Sequence, residues 1–107
     1  MAKKSQPVPA KLFVSLQKMA KETNERSQHF LAFYLEREIQ NQYVIQQLTM
    51  LHALTHKLCE IFELYLCDDE EMLAVPSQEV LIVASGVKEI AAVHEELSKC
   101  GISFNLN

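Results

Sequence analysis

Three side chains near the middle of the chain have the types and spacing of a ligand set. His52 and His56 stand four residues apart and Cys59 follows three later, in the run HALTHKLC. On an α-helix those steps put all three on one face. Imidazole and thiolate are good ligands for zinc and other transition metals, and Glu63 is placed to add a fourth. The same trio borders an apolar stripe, where histidines also sit as ordinary amphipathic residues. A single His-x3-His step is a weak signal, so a metal- or cofactor-binding helical bundle is the alternative reading, not the leading one.

Other chemistry finds less support. A carboxylate di-metal bundle needs Glu-x-x-His pairs. The residues three before His29, His52, His56 and His94 are Arg26, Thr49, Ala53 and Ala91. Two glycines cannot build a phosphate loop, and neither GxSxG nor HExxH occurs. Thiolate activation needs an electropositive setting, whereas Cys59, Cys67 and Cys100 all stand near acidic residues. The acidic run at 68–71 lacks the alternating oxygen ligands and central glycine of a calcium loop. His94 falls at an apolar position between Ile90 and Leu97, where packing is its ordinary use. The expectation is a protein that is not an enzyme and carries no cofactor.

Composition points the same way. The chain has 107 residues, 49% of them hydrophobic, with two glycines and three prolines. That length makes one domain, and so few turn residues favour helix over sheet. The net charge of −4 is unevenly laid out. Residues 1–26 hold six Lys/Arg against two Glu, and residues 27–107 hold four against twelve Asp/Glu. An acidic body argues against general nucleic-acid binding, although Lys3, Lys4, Lys11, Lys18 and Lys21 make a basic segment. An odd set of cysteines without a CxxC pair, no signal-peptide pattern and no apolar run of about 20 residues suggest a cytoplasmic chain with free thiols and no membrane span.

The elements that must position these groups follow from periodicity. Val44, Leu48, Leu51, Thr55, Leu58, Phe62 and Tyr65 recur at steps of three and four, the signature of an amphipathic helix. The apolar phase runs back through Tyr34 and Phe30, which predicts one long helix at about 28–66, with Asn41 as its weak point. Such a helix would be close to 60 Å long. Leu12, Phe13, Leu16, Met19 and Ala20 mark an N-terminal helix at 10–22, preceded by a disordered basic tail at 1–9. The polar run 21–28 reads as a break. A capping run at 67–71 leads into a short helical turn that Pro76 closes.

Residues 77–99 fit a C-terminal helix, with Ser77 as N-cap and Val80, Val83, Val87, Ile90, His94 and Leu97 at helical spacing. Gly101 then ends it, with Ile102 packing back, and Gly86 marks a close helix crossing. The alternative is α+β, with strands at 80–84 and 102–106. The fold class is therefore all-α, a small helical bundle in residues 10–107.

A single short chain could not cover a 60 Å rod along its whole length. The leading expectation is thus a non-enzymatic protein–protein interaction protein: a subunit, adaptor or small chaperone, as an oligomer or in a hetero-complex. Its interface residues would be Phe30, Phe33, Tyr34, Val44, Leu48, Leu51, Leu58 and Phe62.

Overall fold

The computed structural model describes residues 5–66 and 71–102. Their elements are β1 (Ser5–Pro9), α1 (Ala10–Leu35), α2 (Gln42–Tyr65), β2 (Met72–Pro76) and α3 (Ser77–Lys99). Three helices form the bundle, and β1 pairs with β2 as a two-stranded antiparallel sheet. Both α1 and α3 run antiparallel to α2: Phe13 meets Phe62, while Tyr43 meets Glu96.

The expected 28–66 helix is two helices. Residues 36–41 leave the helical path, and α2 restarts at Asn41, whose side chain accepts the Val44 N–H at 3.2 Å. Asparagine is a strong N-cap because its oxygen satisfies an otherwise orphaned amide. Tertiary burial decides the matter. Reversal lets Phe13, Val44, Leu48, Leu51, Leu58 and Phe62 enter one core. At about 1.5–3 kcal/mol each, that exceeds the roughly 1 kcal/mol net for each helical hydrogen bond given up. The rod that seemed to need company is shortened and covered by its own chain.

The expected break at 21–28 lies inside α1, and its polar residues are core residues there: Thr23 and Ser27 are fully buried. They tolerate burial because each hydroxyl bonds back along its own helix, Ser27 Oγ to the Asn24 carbonyl at 2.8 Å and Thr23 Oγ1 to Met19 Sδ at 3.8 Å.

Two segments read as tail and helical turn are strands. Val8 lies opposite Leu73, and all of Val8, Leu73 and Val75 point into the core. Ala10 N–H donates to Glu71 O at 2.9 Å, which sets the phase of the ladder. In that phase Gln6 and Val8 turn their backbone toward β2, while Pro7 and Pro9 turn theirs away. The two prolines therefore cost no ladder bond and blunt the outer edge of β1. Each strand ends in Val-Pro and hands over at once to a helix, Pro9 to α1 and Pro76 to α3. A residue before proline is held extended, and proline's missing N–H is harmless at a helix start.

Residues 80–84 are helix, so the strand alternative fails there; of 102–106, all but Ile102 lies outside the described residues, as do 1–4 and the 67–70 part of the capping run. The end of α3 is a Schellman motif. Ile102 N–H donates to Leu97 O at 2.9 Å and Gly101 N–H to Ser98 O at 3.0 Å. Gly101 has φ +84, a conformation open to glycine without strain. Midway along α3, Gly86 faces Leu58 so closely that a Cβ there would stand 3.0 Å from Leu58 Cδ2.

Candidate functional site

The predicted ligand trio lies on α2, but its members do not converge. His56 Nε2 is 3.1 Å from Glu60 Oε1, and both side chains are largely in solvent. The His52 Nδ1 is buried without a hydrogen bond, and its backbone carbonyl oxygen accepts from Asn24 of α1. Cys59 is half-buried, and burial pushes its thiol above the usual range, with Lys21 opposing that shift. A raised thiol is a poor ligand and a poor nucleophile, since both roles need the thiolate. Among the described residues no three His, Cys, Asp or Glu side chains group as a metal site. The shallow depression lined by Lys21, Asn24, Glu25, His56 and Cys59 therefore brings only two of the three together.

What lies beneath those residues is a polar brace between α1 and α2. The Asn24 amide donates to the His52 carbonyl and to Thr55 Oγ1, each at 3.0 Å. Thr55 is fully buried and its hydroxyl also reaches the Leu51 carbonyl at 2.9 Å. This single cross-helix amide fixes the register of the two helices, because sliding either by one turn would strand it. Sequence reasoning missed it. The signal was present in the small and polar types of Ala20, Thr23, Asn24 and Ser27, which continue the 3–4 spacing of Phe13 and Leu16.

The expected interface residues divide into two groups. Val44, Leu48, Leu51, Leu58 and Phe62 are at most 1% exposed, so the predicted stripe is the chain's own core and cannot serve as an open interface in this fold. Phe30 and Tyr34 are half-buried against that core, and Phe33 is 52% exposed. Leu35 at 51% and Ile39 at 89% are exposed as well, so the corner where α1 turns toward α2 carries three exposed apolar side chains. The Arg37 guanidinium lies 4.6 Å from the centre of the Phe33 ring and 5.9 Å from that of Tyr34. Phe33 and Tyr34 meet edge to face at 5.4 Å. Gln40 Nε2 donates to Leu35 O at 2.9 Å and folds the connection back over the end of α1.

A second surface lies between α2 and α3. Its ends are clamped by two tyrosines of α2: Tyr43 donates to Glu96 Oε2 at 2.7 Å, and Tyr65 donates to Glu79. The hydrogen bond from Tyr43, and then Lys99, hold the Glu96 carboxyl below its ordinary range, while Glu96 raises Tyr43. Between the clamps run two adjoining depressions of 380 and 250 Å³, sharing Leu54 and Glu89. Among the described residues, no helix is long and apolar enough to cross a membrane. Compared with protein-family models, curated proteins and solved structures, the chain matches none.

Proposed function

We propose that this chain is a non-enzymatic interaction protein, a subunit or adaptor, that binds a protein partner through the corner formed by residues 33–39. The observation behind this reading is the exposure of Phe33, Leu35 and Ile39 beside an arginine stacked on aromatic rings. Isolated exposed apolar residues are ordinary on protein surfaces. An exposed aromatic ring carrying an arginine, with Leu35 and Ile39 also exposed nearby in the chain, is not, because aromatic residues and arginine are the types that dominate binding energy at protein interfaces. Arg37 already sits over the Phe33 ring, which restricts its side chain before a partner arrives, so less entropy is lost on contact. Ile39 projects from a polar connection where the fold makes no use of it.

The test is site-specific photo-crosslinking in cells. A photoreactive side chain at position 39 gives a discrete adduct with another protein, and Arg37→Glu removes it while leaving the helical circular dichroism unchanged. The same label at position 88, on the polar face of α3, gives none. Adduct yield at 39 no higher than at 88 would overturn the reading.

A further inference from the structure

We propose that the groove between α2 and α3 is a two-fold interface, occupied by the same groove of a second copy of this chain. The inference goes beyond the partner-binding corner, which lies elsewhere on the molecule and is not needed for it.

The groove is built as half of a four-helix arrangement. Beside its core stripe, α2 carries a second run at three-four spacing: Gln47, Met50, Leu54 and Lys57. The adjacent run on α3 is Gln78, Ile82, Ser85, Glu89, Ala92 and Glu96. Each run sits one position before the buried stripe of its own helix, so the two line opposite walls of one trough. Leu58, Gly86 and Val93 form its floor. Leu81, 67% exposed, stands on its rim. Large side chains of α2 (Met50, Leu54) stand across from small ones of α3 (Ser85, Gly86, Ala92), and α3 itself alternates Leu81 and Ile82 with them, the alternation that lets two helical layers interdigitate.

Charge and size choose the occupant. Lys57 and Glu89 lie on opposite walls of the same depression. A two-fold axis along the helices keeps every residue at its own height and makes all neighbouring helices antiparallel, as bundles favour. Lys57 of each copy then meets Glu89 of the other, and one complementary pair is made twice. Glu96 is already engaged by Tyr43 and Lys99 and stays at the rim. A trough roughly 30 Å long and 20 Å wide covers about 600 Å² on each copy, or about 1,200 Å² together. That is the lower end of what specific association needs, which fits a weak, concentration-dependent dimer.

Sedimentation equilibrium on the full chain tests this across micromolar concentrations. The expected mass rises from one copy to two. Leu81→Glu, at an exposed site that the fold does not need, weakens association at least about tenfold with unchanged circular dichroism. Lys57→Glu and Glu89→Lys each weaken it, and the double reversal restores it, because the pair is then remade with its charges exchanged. Ile39→Glu leaves the dimer intact, so loss of this inference and loss of the corner reading are told apart. A chain that stays single throughout overturns the proposal. So does a dimer indifferent to Leu81→Glu, or one that the double reversal fails to restore.

Discussion

Replacing Gly86 by alanine sets helix propensity against packing, and the structure decides which wins. In a helix interior alanine is favoured over glycine by about 0.8–1.0 kcal/mol. At this position, however, a Cβ would stand 3.0 Å from Leu58 Cδ2, 3.2 Å from Cδ1 and 3.4 Å from Cγ. Leu58 is only 1% exposed, so its methyls have little room to swing clear without moving their neighbours. Forcing one extra carbon into a filled core costs about 1–3 kcal/mol. The two effects leave Gly86→Ala destabilising by roughly 0–2 kcal/mol, with about 1 kcal/mol as the central expectation. In a domain of this size 1 kcal/mol lowers Tm by about 4–8 °C.

The assay is urea unfolding followed by circular dichroism, in which the midpoint falls while the slope stays constant. The decisive measurement is the same substitution in a Leu58→Val background. Valine withdraws the methyls that the new Cβ would strike, so alanine at 86 should then stabilise by close to its full propensity of about 1 kcal/mol. One substitution thus changes sign with its neighbour, a coupling of the size direct contacts show. If Gly86→Ala instead stabilises the otherwise unaltered chain by about 1 kcal/mol, α3 does not ride on Leu58. The floor of the α2–α3 groove as described would go with it.

Three further outcomes follow from the fold. Asn24→Ala should cost about 1–3 kcal/mol, since it removes the cross-helix donor to the buried Thr55 hydroxyl oxygen; combined with Thr55→Val in a double-mutant cycle, the losses should be clearly non-additive. Gly101→Ala should cost about 1 kcal/mol through backbone strain alone, because φ is +84 and nothing lies within 4 Å of the added Cβ; Gly101→Asn should recover part of the loss. Burial lowers the His94 pKa below 6.5, so the unfolded chain takes up its proton first as pH falls. The stability His94 confers is full above pH 6.5 and is lost as pH drops toward its folded value. Unfolding midpoints between neutral and mildly acidic pH should show this slope, and His94→Gln should flatten it.

Much of the bundle was legible in the residues. The α2 stripe of Val44, Leu48, Leu51, Thr55, Leu58 and Phe62 is buried as its spacing required, because an unbroken 3–4 pattern has one low-energy orientation against a core. The glycine-terminated end of α3 and the close crossing at Gly86 were legible too, since each rests on a property that glycine alone supplies. On α3 the buried line runs through Gly86 and Val93 rather than Val87 and His94. The rotation follows from the crossing: the bare glycine face comes nearest to α2 and draws its neighbours in with it. What periodicity could not show was where the chain turns back. Phe30 and Tyr34 keep phase with Val44 across 36–41, so the pattern is the same for one helix or two. Only the energy of burying α1 against α2 separates them, and that energy belongs to contacts between segments distant in sequence.

The same reversal relocates the exposed apolar surface. A stripe cannot be both the chain's core and its partner's seat, and once α1 folds over α2 the stripe is spent inside. What remains outside is what the reversal itself could not bury. Phe33 and Leu35 lie in the last turn of α1 and Ile39 in the connection that follows, where the helix end and the turn cannot pack on every side. The second exposed run on α2 is left open for a related reason: α3 packs against α2 less extensively than α1 does. Both surfaces are therefore consequences of covering a long amphipathic helix with too few helices. The apolar excess lies in the helices whose periodicity carries it, and the fold moves its exposed part from the stripe to the corner and the groove.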